Sequence, residues 1–411
     1  MRENIDSMKI ALISRDYPPE SAWNGIAVFY SMMANSLVKR GHEVHVICRA
    51  EKEPRDYRDD GVEIHRVSKK PRQYSVAGRA SYMFHAWLKL RRLIERGNVE
   101  IVCVPYTDAE GFFCSLFERI PLVVTVHSAS EKAIKTRSYS FETQHFFLRI
   151  MSFFEVFTIK RATRVIANSH ATYRMVVEDI KIRPDRVDLV EHAIDTSEFR
   201  PAETNNTIRE ELGIANDAPL VLAVGRLESR KGTHILCECI PHVLKQKAKT
   251  KFVFLGGDTE TAPDGGSFKR FLTNKAKLGN FTGNLMFIDS VSREKLIQFY
   301  QACDVLVSAS LYESFGLTVI EAMACGKPVV ATLTGIVPEL ESYGLKGFRG
   351  VPVGNSERLS DAILYFLSMP GKDVNALSIK NRELIEKEFS FASWIDKTIQ
   401  VFEKAIQKKT S

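Results

Sequence analysis

Short apolar, β-branched runs alternate with longer amphipathic stretches along the whole of this 411-residue chain. That alternation is the pattern of parallel strands covered by helices on both faces, so a doubly wound α/β class is expected. In the first half the runs predict strands over 9–14, 43–48, 62–67, 100–105, 122–126, 164–168 and 187–191. The 3.6-residue periodicity between them predicts helices over 27–40, stopped by Gly41, and over 82–96 and 142–162. A second series begins afresh after Pro219, with strands expected over 220–224, 252–255, 285–288, 305–308 and 329–332. The end of the chain, 389–409, reads as a helix with Trp394, Ile395, Ile399, Phe402 and Ile406 on one side.

The length exceeds what one hydrophobic core usually fills, and two domains fit the two series of strands. The stretch from Ala193 to Ala218 is polar, with Thr204, Asn205 and Asn206 in it, and marks the passage between them. The expected division is 1–200 for the first domain and 201–388 for the second. Residues 389–411 form a last helix whose apolar side must be covered, by the first domain in this reading.

Composition places the chain among folded globular proteins, with 45% hydrophobic and 26% charged residues. No stretch approaches a membrane span, since the most apolar helical segment, from Phe146 to Ile159, is broken by Arg149 and Glu155. The first residues carry no secretory pattern, and the seven cysteines lack any C-x-x-C spacing. These features fit a reducing cytoplasm rather than a disulfide framework or a zinc site. The formal charge is +7, unevenly spread. Between His65 and Gly97 the basic residues Arg66, Lys69, Lys70, Arg72, Arg79, Lys89, Arg91, Arg92 and Arg96 meet one carboxylate, Glu95, with Tyr74, Tyr82, Phe84 and Trp87 interleaved. Such a segment suits an anionic membrane surface or a phosphorylated acceptor, or else a solvated helix face. Nucleic acid ranks last, because no nucleic-acid motif accompanies it.

Candidate chemistry lies at the carboxyl ends of two strands of the second series. Strand 220–224 runs into Gly225, Arg226 and, after four residues, Lys231 and Gly232. A guanidinium and an ammonium at a parallel-sheet edge suit the oxygens of a diphosphate and the charge that develops there when a bond to it breaks. Alone, the same loop reads more readily as an exposed basic turn. Strand 305–308 leads into Glu313, Ser314, Phe315, Gly316, Leu317 and Thr318, then into a helix carrying Glu321. Backbone N–H groups near Gly316, Leu317 and Thr318 would bind an anion at the helix start, and the two carboxylates suit vicinal hydroxyls of a sugar or ribose. The plainer alternative is that Glu313 caps this helix and Glu321 favours its positive end.

Taken together, Gly225-Arg226, Lys231-Gly232 and the pair Glu313 and Glu321 around Ser314-Phe315-Gly316-Leu317 resemble the signature of glycosyltransferase family 4 (group 1), retaining enzymes of the GT-B fold. Asp16-Tyr17-Pro18-Pro19 with Gly25, Val124-Thr125-Val126-His127, Ala167-Asn168-Ser169 and Ile194 to Pro201 are similar to further segments of that family in the same order. The resemblance implies an α/β GT-B architecture, two Rossmann-like doubly wound parallel-sheet domains facing a central cleft. It implies that Arg226 and Lys231 bind the donor diphosphate, Glu321 the ribose hydroxyls and Glu313 the hydroxyls of the transferred sugar. Phe315, Gly316 and Leu317 would add backbone contacts, Gly25 would let a first-domain loop approach the donor phosphates, and His127 would orient the reacting sugar. Standing alone, His127 reads as structural.

The expected activity is therefore retaining transfer of a hexosyl group from a nucleotide-diphosphate sugar, UDP- or GDP-linked, to a glycan, lipid-linked, phosphorylated or small-molecule acceptor. No cofactor or metal is expected: no Asp-x-Asp triplet occurs, so Arg226 and Lys231 would neutralise the leaving group. Expected location is the cytoplasm, at the inner face of an anionic membrane if the basic segment binds lipid. The resemblance departs from its pattern at Gly335-Ile336-Val337-Pro338-Glu339, where relatives often carry paired glycines, which puts the local donor contact in doubt. Alternatives are a GT-B sugar-nucleotide epimerase and a non-catalytic sugar-binding protein. A dinucleotide oxidoreductase is disfavoured by the lack of Gly-x-Gly-x-x-Gly after either first strand.

Overall fold

A computed structural model describes residues 7–20, 25–69, 76–127, 142–202 and 207–410. The chain divides into two compact units. One takes the described residues up to Glu191 together with those from Trp394 onward; the other runs from His192 to Ser393.

The first unit is built on an eight-stranded sheet. Its strands are β1 (Lys9–Ile13), β2 (Glu43–Ala50), β3 (Arg55–Asp59), β4 (Val62–Lys69), β5 (Ile101–Pro105), β6 (Leu122–Val126), β7 (Arg164–Ala167) and β8 (Val187–Leu189), in the spatial order β3-β4-β2-β1-β5-β6-β7-β8. All neighbours are parallel except β3 and β4, which pair antiparallel. Ile10 pairs with Val44 on one side and Ile101 on the other, so the order reverses at β1. β5 and β6 are buried throughout, as strands covered on both faces must be. β3, with sequence RDYRD, was not expected as a strand: on an edge only one side needs a partner, and nothing demands an apolar pattern.

Helices Gly25–Lys39, Val76–Glu95 and Glu142–Arg161 cover this sheet. The second begins six residues before its expected start: Val76–Ser81 lacks a strong apolar stripe and contains Gly78, which hides the first turns in the sequence, while Ala77 and Ala80 favour the helix. The last helix, Phe391–Thr410, belongs to this unit from Trp394 onward. Its Trp394 ring meets Phe29 at 5.1 Å, Asp396 pairs with Arg40, and Lys404 lies 3.4 Å from Asp188.

The second unit holds a six-stranded, fully parallel sheet of β9 (Leu220–Val224), β10 (Lys251–Leu255), β11 (Leu285–Ile288), β12 (Val305–Ser308), β13 (Val329–Thr332) and β14 (Phe348–Val351), ordered β11-β10-β9-β12-β13-β14. Period-two alternation splits its core into two faces. Leu220, Leu222, Val253, Leu255, Leu306 and Val329 face one cluster; Val221, Ala223, Phe252, Phe254, Val305 and Val330 face the other. Each such fully buried Leu, Val or Phe side chain contributes about 1.5–3 kcal/mol. β14, the unexpected edge strand, carries Arg349 and Gly350, which mask its apolar ends in the sequence.

Strand order reverses here at β9, flanked by β10 and β12. In an open parallel sheet the crevice at such a reversal receives ligands, because the loops on its two sides diverge to opposite faces. The loops following β9 and β12 are those that carry Arg226, Lys231 and Glu313. Glycine lets these loops touch through their backbones. Gly232 has φ +62°, and a Cβ there would sit 1.8 Å from the Ala309 carbonyl oxygen.

Gly213 supplies a control, since its φ is +63° but a Cβ would meet nothing within 4 Å. Gly213→Ala should cost the left-handed penalty alone, about 1–2 kcal/mol. Gly232→Ala should cost at least about twice as much, because the Ala309 backbone must also move. Urea unfolding of the two variants, followed through the transition of the second unit, measures the difference.

Candidate functional site

The loop after β9 is held by its own backbone hydrogen bonds. Gly225 donates its N–H to Leu255 O at 2.9 Å and Leu227 donates to Gly257 O at 2.9 Å, tying the loop to the one after β10. A short 3₁₀ turn, Ser229–Lys231, then ends on Gly232, whose left-handed conformation starts helix Thr233–Gln246. The loop after β12 is held from both sides. Leu311 N donates to Arg230 O at 2.8 Å, and Ile336 N, from the loop after β13, donates to Phe315 O at 2.7 Å.

These backbones bring their charged side chains into one alternating row. Arg226 lies 3.0 Å from Glu228, Glu228 2.7 Å from Arg230, Arg230 3.6 Å from Glu313, and Glu313 2.6 Å from Lys231. Ser310 Oγ donates to the same Glu313 oxygen at 2.7 Å. Burial pushes the Glu313 carboxyl up, but Lys231 and Arg230, with hydrogen bonds from Lys231 and Ser310, outweigh it and hold the group below its ordinary range. Three cations against two carboxylates leave one positive charge in excess. Arg226 is the exposed end of the row, with 60% of its side chain accessible.

Glu321 sits in the second turn of helix Leu317–Ala324 and accepts a 2.7 Å hydrogen bond from the Tyr300 hydroxyl. Burial raises its carboxyl above the ordinary range, against the lowering effects of Tyr300, Arg293 and Lys231. The charge of Lys231 therefore acts on both Glu313 and Glu321, and the structure brings these three candidates together with Arg226 around one rim. Glu313 does not cap the helix. Its N-cap is Gly316, at φ +112°, without a side-chain cap bond, so the first N–H groups, at Leu317 and Thr318, have no intrahelical acceptor. Phe315 is buried, its ring 5.1 Å from that of His192. Ile336, at the departure from paired glycines, takes an ordinary helical conformation (φ −83°) and is fully buried; Gly335 alone needs positive φ.

Gly25 and His127 belong to the first unit. Gly25 opens helix Gly25–Lys39 after β1, and a Cβ there would meet nothing within 4 Å, so the protein's own packing does not require glycine. His127 follows β6, with Nε2 at 3.0 Å from Thr125 Oγ1 and its ring 4.4 Å from that of Phe29. β1 and β6 run parallel through β5, which places both residues at the carboxyl edge of that sheet.

The basic segment proves mixed. Arg66 is buried and donates to the carbonyls of Tyr17 and Pro18 at 3.0 Å, Arg79 lies 3.5 Å from Asp108, and Lys89 pairs with Asp56 at 2.5 Å. Tyr82 and Trp87 are buried as well, whereas Arg91, Arg92 and Arg96 are exposed. Lys70, Arg72, Tyr74, Lys132, Lys135 and Arg137, and the side chain of Lys69, lie outside the described residues.

With this geometry in place, comparison with known proteins is decisive. The family model described as "Glycosyltransferase Family 4" matches residues 23–198, and "Glycosyl transferases group 1" matches residues 204–384. The chain is a group 1 glycosyltransferase. Alpha-maltose-1-phosphate synthase of Mycolicibacterium smegmatis is similar at 26% identity, over 97% of this chain and 99% of that protein. Among solved structures, sucrose-phosphate synthase from Thermosynechococcus elongatus superposes with a TM-score of 0.78 at 21% identity, covering 98% of this chain and 100% of that one. Anabaena HepE in complex with UDP-glucose gives 0.71 at 20% identity, over 97% and 99%. The fold of this glycosyltransferase is thus GT-B, two Rossmann-like α/β domains. No described helix is long and apolar enough to cross a membrane.

Sequence reasoning missed Arg230, Glu228, Ser310 and Tyr300. The adjacent Arg230-Lys231 pair was visible, but nothing in the sequence marks Arg230 as the member that bridges Glu228 and Glu313 while donating to Tyr312 O at 3.2 Å. Two outcomes follow from the electrostatics. Because burial disfavours the Glu321 carboxylate, Glu321→Gln should raise the melting temperature of the unliganded enzyme, and the gain should shrink as the pH falls and Glu321 takes up its proton. The depressed Glu313 group behaves oppositely: its pairing stabilises above the ordinary carboxylate pKa and is lost as pH falls through the lower folded value. The stability deficit of Glu313→Gln should therefore persist at neutral pH and fade only below pH 4.5. Differential scanning fluorimetry across pH checks both.

Proposed function

We propose that this glycosyltransferase is a metal-independent, retaining hexosyltransferase that takes a UDP- or GDP-linked sugar at the rim of its second unit and passes the sugar to a glycan, lipid-linked or phosphorylated acceptor. The observation that carries this reading is the 2.6 Å ion pair of Lys231 with Glu313 inside a row of charges with one cation in excess. An arriving diphosphate competes with Glu313 for Lys231. The exchange gives the ammonium a stronger anion and releases a carboxylate, already oriented by Arg230 and Ser310, to accept hydrogen bonds from the sugar hydroxyls.

As the glycosidic bond breaks, negative charge grows on the diphosphate, and Arg226 with Lys231 stabilises it where a metal would otherwise act. The N–H groups at Leu317 and Thr318 add fixed dipoles, and Glu321, seated on Tyr300, receives the ribose hydroxyls. His127 and Gly25, on the first unit, serve the reacting sugar and the phosphates, and the acceptor attacks on the face from which the diphosphate leaves. Apart from the donor substrate no cofactor is needed. HepE, solved with UDP-glucose, supports a uridine donor; relatives named for phosphate-bearing products support a phosphorylated acceptor. An acceptor carried on lipid would be met at the inner face of an anionic membrane.

Lys231→Ala and Arg226→Ala should each lower kcat/KM for donor turnover by about 10²–10³-fold, the usual loss when one stabilising group is removed from a developing oxyanion. Glu313→Gln should lower kcat with a smaller change in nucleotide affinity. Turnover unchanged by Lys231→Ala would overturn the assignment. A thermal-shift series with UDP, GDP and ADP identifies the base, since a nucleotide at 100 times its Kd adds about 2.7 kcal/mol of stability.

A further inference from the structure

Helices Val76–Glu95, Phe112–Phe117 and Glu142–Arg161 of the first unit meet along an aromatic ridge. Phe153 lies against Phe154 at 5.8 Å between ring centres, Phe154 against Phe112 at 4.6 Å, and Phe112 against Phe113 at 5.4 Å. Phe113 stacks on Phe117 at 6.3 Å, and the Trp87 ring lies 5.1 Å from that of Phe117. The inner rings pack the helices together. The outer ones keep much of their surface open to water: Phe153 is 66% exposed, Phe117 58% and Phe84 41%. Three phenylalanines left in water on adjoining helices constitute a contiguous apolar patch of the kind that marks an interaction surface.

The charges beside the ridge identify what it meets. Arg91 lies over the Trp87 ring at 5.8 Å and Arg161 over Phe157 at 4.0 Å. Arg149 stands one helical turn before Phe153, and Arg119 two residues beyond Phe117; all four are exposed. The described carboxylates of these elements are otherwise engaged. Glu95 pairs with Arg91 at 3.0 Å, Glu118 accepts from Trp87 Nε1 at 2.7 Å, and Glu155 is fully buried. Exposed aromatic rings framed by guanidiniums are matched to a lipid headgroup region, where rings enter the acyl boundary and the cations meet phosphates. A second copy of the chain would instead set like charges against each other.

We infer that this ridge is the surface by which the enzyme lies on an anionic bilayer, with Phe117 and Phe153 entering the headgroup boundary and Arg149 and Arg161 contacting lipid phosphates. The inference rests on the reading that the acceptor is met at a membrane, and it gives that membrane a place on the first unit.

Flotation of the full-length chain with phosphatidylcholine vesicles, with and without phosphatidylglycerol, tests it. The wild type should float with phosphatidylglycerol-containing vesicles at low salt and stay behind with phosphatidylcholine alone. Phe117→Ser/Phe153→Ser and Arg149→Glu/Arg161→Glu should each reduce the partition coefficient at least about tenfold. Both variants should keep the far-UV circular dichroism and the nucleoside-diphosphate thermal shift of the wild type. Flotation of either variant equal to the wild type overturns the inference. So does a wild type that ignores anionic vesicles but self-associates through Phe117 and Phe153 in sedimentation velocity. Flotation as expected without any nucleotide-induced shift would sink the donor assignment and leave the membrane surface standing.

Discussion

The second unit depends on how closely the loops after β9 and β12 can approach, and the contact that fixes this is Gly232 against the Ala309 carbonyl, where a Cβ would lie 1.8 Å away. Everything at the rim follows from that closeness. The Lys231 ammonium reaches Glu313 only because the two backbones touch, and Arg230 then clamps the far loop through Tyr312 O and Glu313. A partly buried ion pair of this sort adds little net stability, since desolvation cancels most of the Coulomb gain. Its value is positional, in holding a carboxylate and a cation where each can trade its partner for part of a ligand.

The two glutamates are prepared in opposite senses. Glu313 is held charged by the cations around it, while Glu321 is pushed toward its neutral form by burial and rests on a tyrosine hydroxyl. Two carboxylates eight positions apart in sequence thus acquire different electrostatic characters from their surroundings, as groups with different tasks on one elongated ligand require.

Much of this was legible in the chain. Strands β6, β9, β12 and β13 coincide with their apolar runs residue for residue, because a strand covered on both faces is apolar along most of its length; β11, a half-buried edge strand with sequence LMFI, coincides as well. Two of the four edges, β3 and β14, were not legible. β3 and β14 carry charged or glycine residues because one side of each is open, and the polar sequence RDYRD joins β4 through the backbone ladder and through side chains that only pairing brings together, Asp56 with His65 at 3.0 Å and Tyr57 with Arg66 at 3.0 Å. At the rim, Arg226, Lys231, Glu313 and Glu321 stood out by spacing and resemblance, while Arg230, Ser310 and Tyr300 did not, since their roles lie in whom they touch. The basic segment from His65 to Gly97 divides the same way: as sequence it is one cationic run, yet Arg66 is buried among carbonyls and Lys89 is tied to Asp56.

By itself, then, the sequence determined the class of the fold and the chemical types gathered at the strand ends, because hydrophobic periodicity and motif spacing are local properties written residue by residue. Which cation pairs with which acid, which arginines reach water and which aromatic rings are left uncovered were decided only by the tertiary structure. Those outcomes depend on backbones distant in sequence being pressed to within a few ångströms of one another, and burial and Coulomb energies are set by that proximity rather than by residue type.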